Sequence, residues 1–191
     1  MIVLGGDEPR WSVADAARMA DGLDLAGVDI VYFGSRIRPG PRRRTETPEG
    51  LEQALASGFL TRLVVLDRIH QRLAGTSSRL RIVLRARAGQ GYLGAVADLN
   101  QAYSYYSPER CRRNAVAGNE ALVLGAAERY PGLAVSAFVS RLGRLPAEPP
   151  PRGLFDSRGR LVPASYGFDA RHAAVLLRVG EKMVQRAAAA R

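Results

Sequence analysis

Short apolar runs alternate along the chain with longer stretches in which apolar residues recur every three or four positions. This is the order expected of βα units around a parallel sheet. Ile2-Val3-Leu4 forms the first candidate strand. Ser12 is placed to cap a helix whose Val13, Ala16, Ala17 and Ala20 share one face. "VDIVYFG" (28–34) is a second strand, apolar apart from Asp29, as a strand covered on both faces should be. Thr47-Pro48-Glu49 predicts the start of a long helix, with Thr as N-cap, Pro in the first turn and an acid near the positive end of the dipole. Its apolar face runs through Leu51, Leu55, Phe59, Leu63, Leu66 and Ile69, and Gly75 ends it.

"LRIVLRA" (80–86) is the third strand, and "GQGYLG" (89–94) reads as a flexible loop. Ser107-Pro108-Glu109 repeats the cap pattern and opens a helix ending near Tyr130-Pro131-Gly132. "LAVSAFV" (133–139) is the fourth strand. The prolines of "LPAEPPPRG" exclude regular structure and make 146–152 a linker. Leu154-Phe155-Asp156 and Leu161-Val162 are short strand candidates, and Asp169 is placed to cap a last helix. The expected fold class is α/β. It is a reduced Rossmann-like three-layer fold with a mostly parallel sheet, in one domain spanning 1–191.

The opening "MIVLGGDEPRW" raises the question of a phosphate-binding glycine loop. Such a site needs glycines where a pyrophosphate approaches and a helix N-terminus free of negative charge. Asp7 and Glu8 stand there instead and no third glycine follows. Gly5-Gly6 is therefore read as a tight strand-to-helix turn, and no cofactor is expected.

Composition changes the picture only modestly. A chain of 191 residues with 47% hydrophobic and 24% charged residues is globular. No apolar run is long enough to span a bilayer, and no secretory leader is visible. No membrane association and a cytoplasmic location are the expectations. Cys111 is the lone cysteine, and His70 and His172 show no metal-ligand spacing, so no metal is expected. The net charge of +10 comes almost wholly from arginine, since Lys182 is the one lysine. The arginines are spread along the chain and only Arg42-Arg43-Arg44 forms a run of three. No nucleic-acid signature accompanies them, and no nucleic-acid partner is expected.

The order of these pieces resembles the short-chain dehydrogenase/reductase family, in particular its retinol-dehydrogenase and WW-domain-oxidoreductase-like branch. "VDIVYFGSR" sits where that family has a strand ending in Asn-Asn-Ala-Gly, and "TPEGLEQALASGFLTRLVVL" looks like the helix that follows. "LRIVLRARAG" is similar to the strand that normally ends in Ser-Ser. "DLNQAYSYYSPERCRRNAVAGNEALVLGAAERYPGLAVSAFV" resembles the catalytic helix and the next strand. The tail "GLFDSRGRLVPASYGFDARHAAVLLRVGEKMV" is similar to the branch's C-terminal segment.

The catalytic residues that the resemblance implies are missing. The family's helix Asn falls on Gly58, its serine on Arg87 (Ala86 if the register slips by one), its tyrosine on Arg112 and its lysine on Val116. Four residues before Lys182 stands Arg178, so no Tyr-x-x-x-Lys pair exists in any register. The family's N-terminal dinucleotide-binding β-α-β unit and a substrate-covering segment after "VSRLGRLP" are also expected to be lacking. In the family's strand order that loss exposes the edge of residues 28–33, and an open edge is a liability. Ile2-Val3-Leu4 is expected to move into the vacancy, or a partner chain to cover it. The resemblance also implies a homodimer through the helices starting at Thr47 and Ser107.

Ligands of open parallel sheets sit beyond the carboxyl ends of the strands. There the sequence places Ser35, Arg36, Arg87, Arg141 and Arg112. Arginines at such a place hold carboxylates or stabilise enolates without a cofactor. The expectation is a site for an anionic or enolisable small molecule, with Arg87, Arg112, Tyr105 and Asp98 as catalytic candidates. Ser35, Arg36, Tyr92 and Arg141 are the substrate-binding ones. Non-redox isomerisation, dehydration or cyclisation of a biosynthetic intermediate is the leading reading. The alternatives are a catalytically silent binding protein and an NAD(P)-dependent oxidoreductase with atypical cofactor binding.

Overall fold

The apolar runs become five strands in a computed structural model that describes residues 1–4, 12–76, 80–87, 89–139 and 152–189. They are β1 (Ile2–Leu4), β2 (Ile30–Phe33), β3 (Arg81–Arg85), β4 (Ala134–Phe138) and β5 (Gly153–Phe155). All pair in parallel, in the order β1-β2-β3-β4-β5. The fold is α/β and Rossmann-like. The edge of β2 is filled from within the chain, with Ile2 opposite Val31 and Leu4 opposite Phe33. The Gly34 amide extends this pairing by donating to the Leu4 carbonyl at 2.8 Å. Leu161-Val162 forms no strand of its own; Leu161 makes a single antiparallel bridge to Phe155.

The helices are α1 (Val13–Asp21), α2 (Gln53–Leu55), α3 (Thr61–Leu73), α4 (Pro108–Arg129) and α5 (Ala170–Ala189), with a π-helical turn (Ala56–Leu60) joining α2 to α3. Ser12 caps α1 in a reciprocal box with Asp15. Ser107 caps α4, and the Asp169 carboxylate accepts the His172 amide at the start of α5.

The long helix does not begin at Thr47, which corrects the expectation. Gly50 adopts φ +74°, a left-handed conformation that ends any helix, and residues 47–50 close a turn in which the Gly50 amide donates to the Thr47 carbonyl. Glu52 is the N-cap instead, its Oε2 accepting the Leu55 amide at 2.8 Å. Glu49 turns away to cap α1, accepting the Ala14 amide.

The central strands are buried on both faces, as a parallel sheet favours, while Val3 on edge strand β1 is 56% exposed. Val31, Phe33, Ile82, Leu84, Val135 and Ala137 point into one core shared by α1, α3, α4 and α5. Tyr32, Val83, Phe138 and Phe155 form a second cluster on the opposite face. α4 is buried on every side over residues 114–123. Within the chain α3 packs against α1, and α4 against α5. The proline linker at 146–151, the Gly5-Gly6 turn and Arg141 lie outside the described residues. Among the described residues, no helix is long and apolar enough to cross a membrane.

Candidate functional site

A cavity of about 1000 Å³ opens where β2, β3 and β4 end at their carboxyl termini. The segment leaving β2 contributes Arg36 and Arg38, the end of β3 contributes Arg85 and Arg87, and α4 contributes Arg112. Ile37, Ala86, Val116, Phe138 and Val139 supply its apolar wall. No carboxylate lines it among the described residues. Guanidiniums converging over an apolar wall make a receptor for an anion with an apolar body.

The arginines are held in different ways. Arg85 reaches across to donate to the Gly34 carbonyl at 3.0 Å. Arg87 is exposed and makes no hydrogen bond or ion pair with a described residue. Arg112 is the most constrained. Its Nε donates to Glu109 Oε2 at 2.7 Å, and its Nη2 donates to Glu109 Oε1 and to the Tyr92 hydroxyl at 3.3 Å. The Tyr92 ring also packs against the guanidiniums of Arg112 and Arg113, at 5.6 and 4.9 Å from its centroid. The hydrogen bond from Arg112, aided by Arg113, pulls the Glu109 carboxyl down to about 2. The same contact raises Arg112 above its ordinary value.

The loop carrying Gln90 and Tyr92 is set by the C-terminal segment. Glu120 of α4 is buried and accepts both the amide and the hydroxyl of Ser165, and that hydroxyl accepts the Gly91 amide at 2.9 Å. The Leu93 carbonyl contacts His172 Nε2 at 2.6 Å. Gly94 has φ +77°, which favours glycine, and a Cβ there would sit tightly against Leu176 and Ala117, at 3.2 and 3.3 Å. "GQGYLG" is therefore an anchored loop.

Beneath the cavity lies a feature the sequence reading missed. Arg62 of α3 is 1% exposed and has no carboxylate partner among the described residues. It donates to the carbonyls of Ser35 at 2.9 Å and Arg85 at 3.2 Å, and to Asn119 Oδ1 at 2.6 Å. Asn119 in turn donates to the Gly58 and Ala115 carbonyls. Burial pulls Arg62 down to about 10, which leaves it charged at neutral pH. A charged residue inside the apolar run "FLTRLVVL" was the available signal.

Of the residues singled out from sequence, Arg36, Arg87 and Arg112 line the cavity, and Tyr92 joins it through Arg112. Ser35 contributes its backbone carbonyl to Arg62 and is not part of the lining. Tyr105 is 93% exposed and stands apart from it. Asp98 also lies elsewhere, its carboxylate accepting the amides of Ala102, Tyr103 and Ser104 to close a turn. Arg38, Arg85 and Gln90 complete the lining and were not foreseen. The first two sit within two residues of arginines that were.

The fold and the cavity define an α/β Rossmann-like protein with an arginine-lined site at the carboxyl edge of its sheet. No family model matches the chain. Over 93 residues, 47% of the chain, it is 32% identical to an uncharacterized oxidoreductase of Saccharomyces cerevisiae, and the match spans 30% of that protein's length. A crystal structure of an uncharacterized protein from Mycobacterium paratuberculosis superposes with a TM-score of 0.64 at 17% identity, covering 91% of this chain and 72% of that one. The first similarity is to an oxidoreductase over about half the chain; the second is one of fold.

Proposed function

We propose that the cavity binds an anionic small molecule. On this reading the chain is a short-chain dehydrogenase/reductase derivative that works on its ligand without conventional redox chemistry. The observation that carries this is the convergence of five arginines on one partly apolar cavity with no carboxylate among its described lining residues. The cavity also gathers Ala86 and Arg87, Arg112 and Val116, the positions onto which the resemblance projects the family's serine, tyrosine and lysine. Where that family would carry a proton donor and its activating cation, this chain presents guanidiniums and an apolar side chain.

Such a site can hold a carboxylate and stabilise an enolate as negative charge develops. Isomerisation, dehydration or cyclisation of an enolisable acid fits these means. The Tyr92 hydroxyl, hydrogen-bonded to Arg112, is the proton carrier nearest the arginines among the candidates. Calorimetric titration of a panel of carboxylates and phosphate esters tests the reading. Binding that survives Arg87→Ala and Arg112→Ala undiminished overturns it.

The oxidoreductase similarity favours a second reading, in which a nicotinamide cofactor binds in an atypical way. Titration with NAD and NADP decides it, since micromolar binding establishes this reading and displaces the first.

A further inference from the structure

We propose that Arg62 is the positioning residue of the cavity. It locks the carboxyl ends of β2 and β3 to each other and sets a fixed positive charge behind the arginines they carry. The inference rests on the anion-binding reading above.

Strand ends are where ladder partners run out and carbonyl groups need other donors. Ser35 and Arg85 stand at two such ends, and their carbonyls are bridged by the Nη2 and Nη1 of one guanidinium. The residue after Ser35 is Arg36, Arg85 itself lines the cavity, and Arg87 follows two positions later. A planar fork spanning both carbonyls sets the spacing between the two segments that present these side chains, and a lysine offers no such fork. Asn119 fixes the third direction, since it accepts from Arg62 while donating to the backbone of α4 and of the π-helical turn.

A stability role alone explains Arg62 poorly. Among the described residues its Nε has no acceptor and its charge meets no carboxylate, and its guanidinium lies 5.9 Å from the Phe33 ring centroid. An apolar side chain of similar volume generally stabilises a core as well as or better than a buried ion. An uncompensated cation under an anion site has a function that a methionine lacks: it is neutralised when the ligand arrives.

The test compares Arg62→Lys and Arg62→Met with Leu66→Ala, a core truncation on the same helix. Binding of inorganic phosphate and of the best carboxylate from the panel is followed by calorimetry, at a temperature where each variant is folded by circular dichroism. Both Arg62 variants are expected to lose affinity by about tenfold or more, as a misplaced binding group does. Leu66→Ala is expected to keep it despite lower stability. Equal affinity in wild type and the Arg62 variants, or equal loss in all three, overturns the inference and leaves the anion site standing. No binding by wild type removes the site itself. If neither Arg62 variant folds, the guanidinium N–H resonances of Arg62 in the wild-type protein take their place. They are expected to shift on titration with phosphate, and fixed resonances at saturation overturn the inference.

Discussion

Glu109 grips Arg112 with both carboxylate oxygens, at 2.7 Å from Nε and 2.5 Å from Nη2. The guanidinium that faces the cavity thus already carries an internal anion, three residues back on the same helix. A ligand reaching Arg112 competes with that carboxylate or shares the guanidinium with it.

Glu109→Gln is accordingly expected to tighten anion binding by roughly two- to fivefold, the scale of a partly exposed ion pair. Calorimetry checks this directly, and weaker binding in the variant would show that Glu109 serves to aim Arg112. The pH dependence has a definite sign. Because the Glu109 carboxyl is held at about 2 in the folded protein, the pair's contribution to stability is complete above the ordinary carboxylate range. It is lost as pH falls toward about 2. Acid titration followed by circular dichroism is expected to show the Glu109→Gln variant lacking that part of the wild-type acid sensitivity.

Gly118 is expected to tolerate no side chain. A Cβ built there meets the Phe59 ring at 2.3 Å, and Phe59 is closed in on its other side by Gly180 of α5. Gly118→Ala forces the ring, α4 or α5 to move, and a cost of about 1–3 kcal/mol follows from overpacking. Urea denaturation measures it, and a loss below experimental error would show that the three elements pack loosely enough to absorb a methyl group.

Glu120 controls the loop rather than the arginines. Replacing it with Gln keeps one acceptor but turns an amide NH2 toward the other Ser165 donor, disrupting that contact at about 1–3 kcal/mol. Hydrogen exchange is expected to accelerate first at the Gly91 amide, which hangs on the Ser165 hydroxyl. Unchanged exchange there would mean that the loop is held by the His172 contact alone.

Cys111 is expected to be inert in the native protein. It is fully buried, Gln101 Nε2 lies 2.7 Å from its sulfur, and burial together with the charge of Glu52 pushes its thiol well above the ordinary range. A thiol-reactive dye at pH 8 is expected to label it only after denaturant is added. Labelling of the folded chain would contradict the placement of α4 against the loop at 98–107.

Much of the architecture was legible in the chain itself, because its signals are local. Apolar runs marked β1 to β4, the first two residues of the 154–156 run fall in β5, and Ser12, Ser107 and Asp169 announced their helices. The resembled family's strand order implied a vacancy beside β2, to be filled by Ile2-Val3-Leu4 or by a partner chain, and the fold places Ile2-Val3-Leu4 there. Thr47 misled because its cap signal is genuine within four residues, yet Gly50 turns left-handed and Glu52 competes for the same role. The arrival of Arg36, Arg87 and Arg112 at one cavity was also foreseeable, since parallel strands deliver their carboxyl ends to one edge. Only packing decided the rest. Arg62 lies 27 residues from Ser35, 23 from Arg85 and 57 from Asn119, and no periodicity links positions so far apart. Tyr105 and Asp98 lie near the helix that carries Arg112, yet one points to solvent and the other closes its own turn. Short-range pattern sets which segments are helix or strand, while the side chains that meet depend on how those segments cross, and that is settled by the shape of the core.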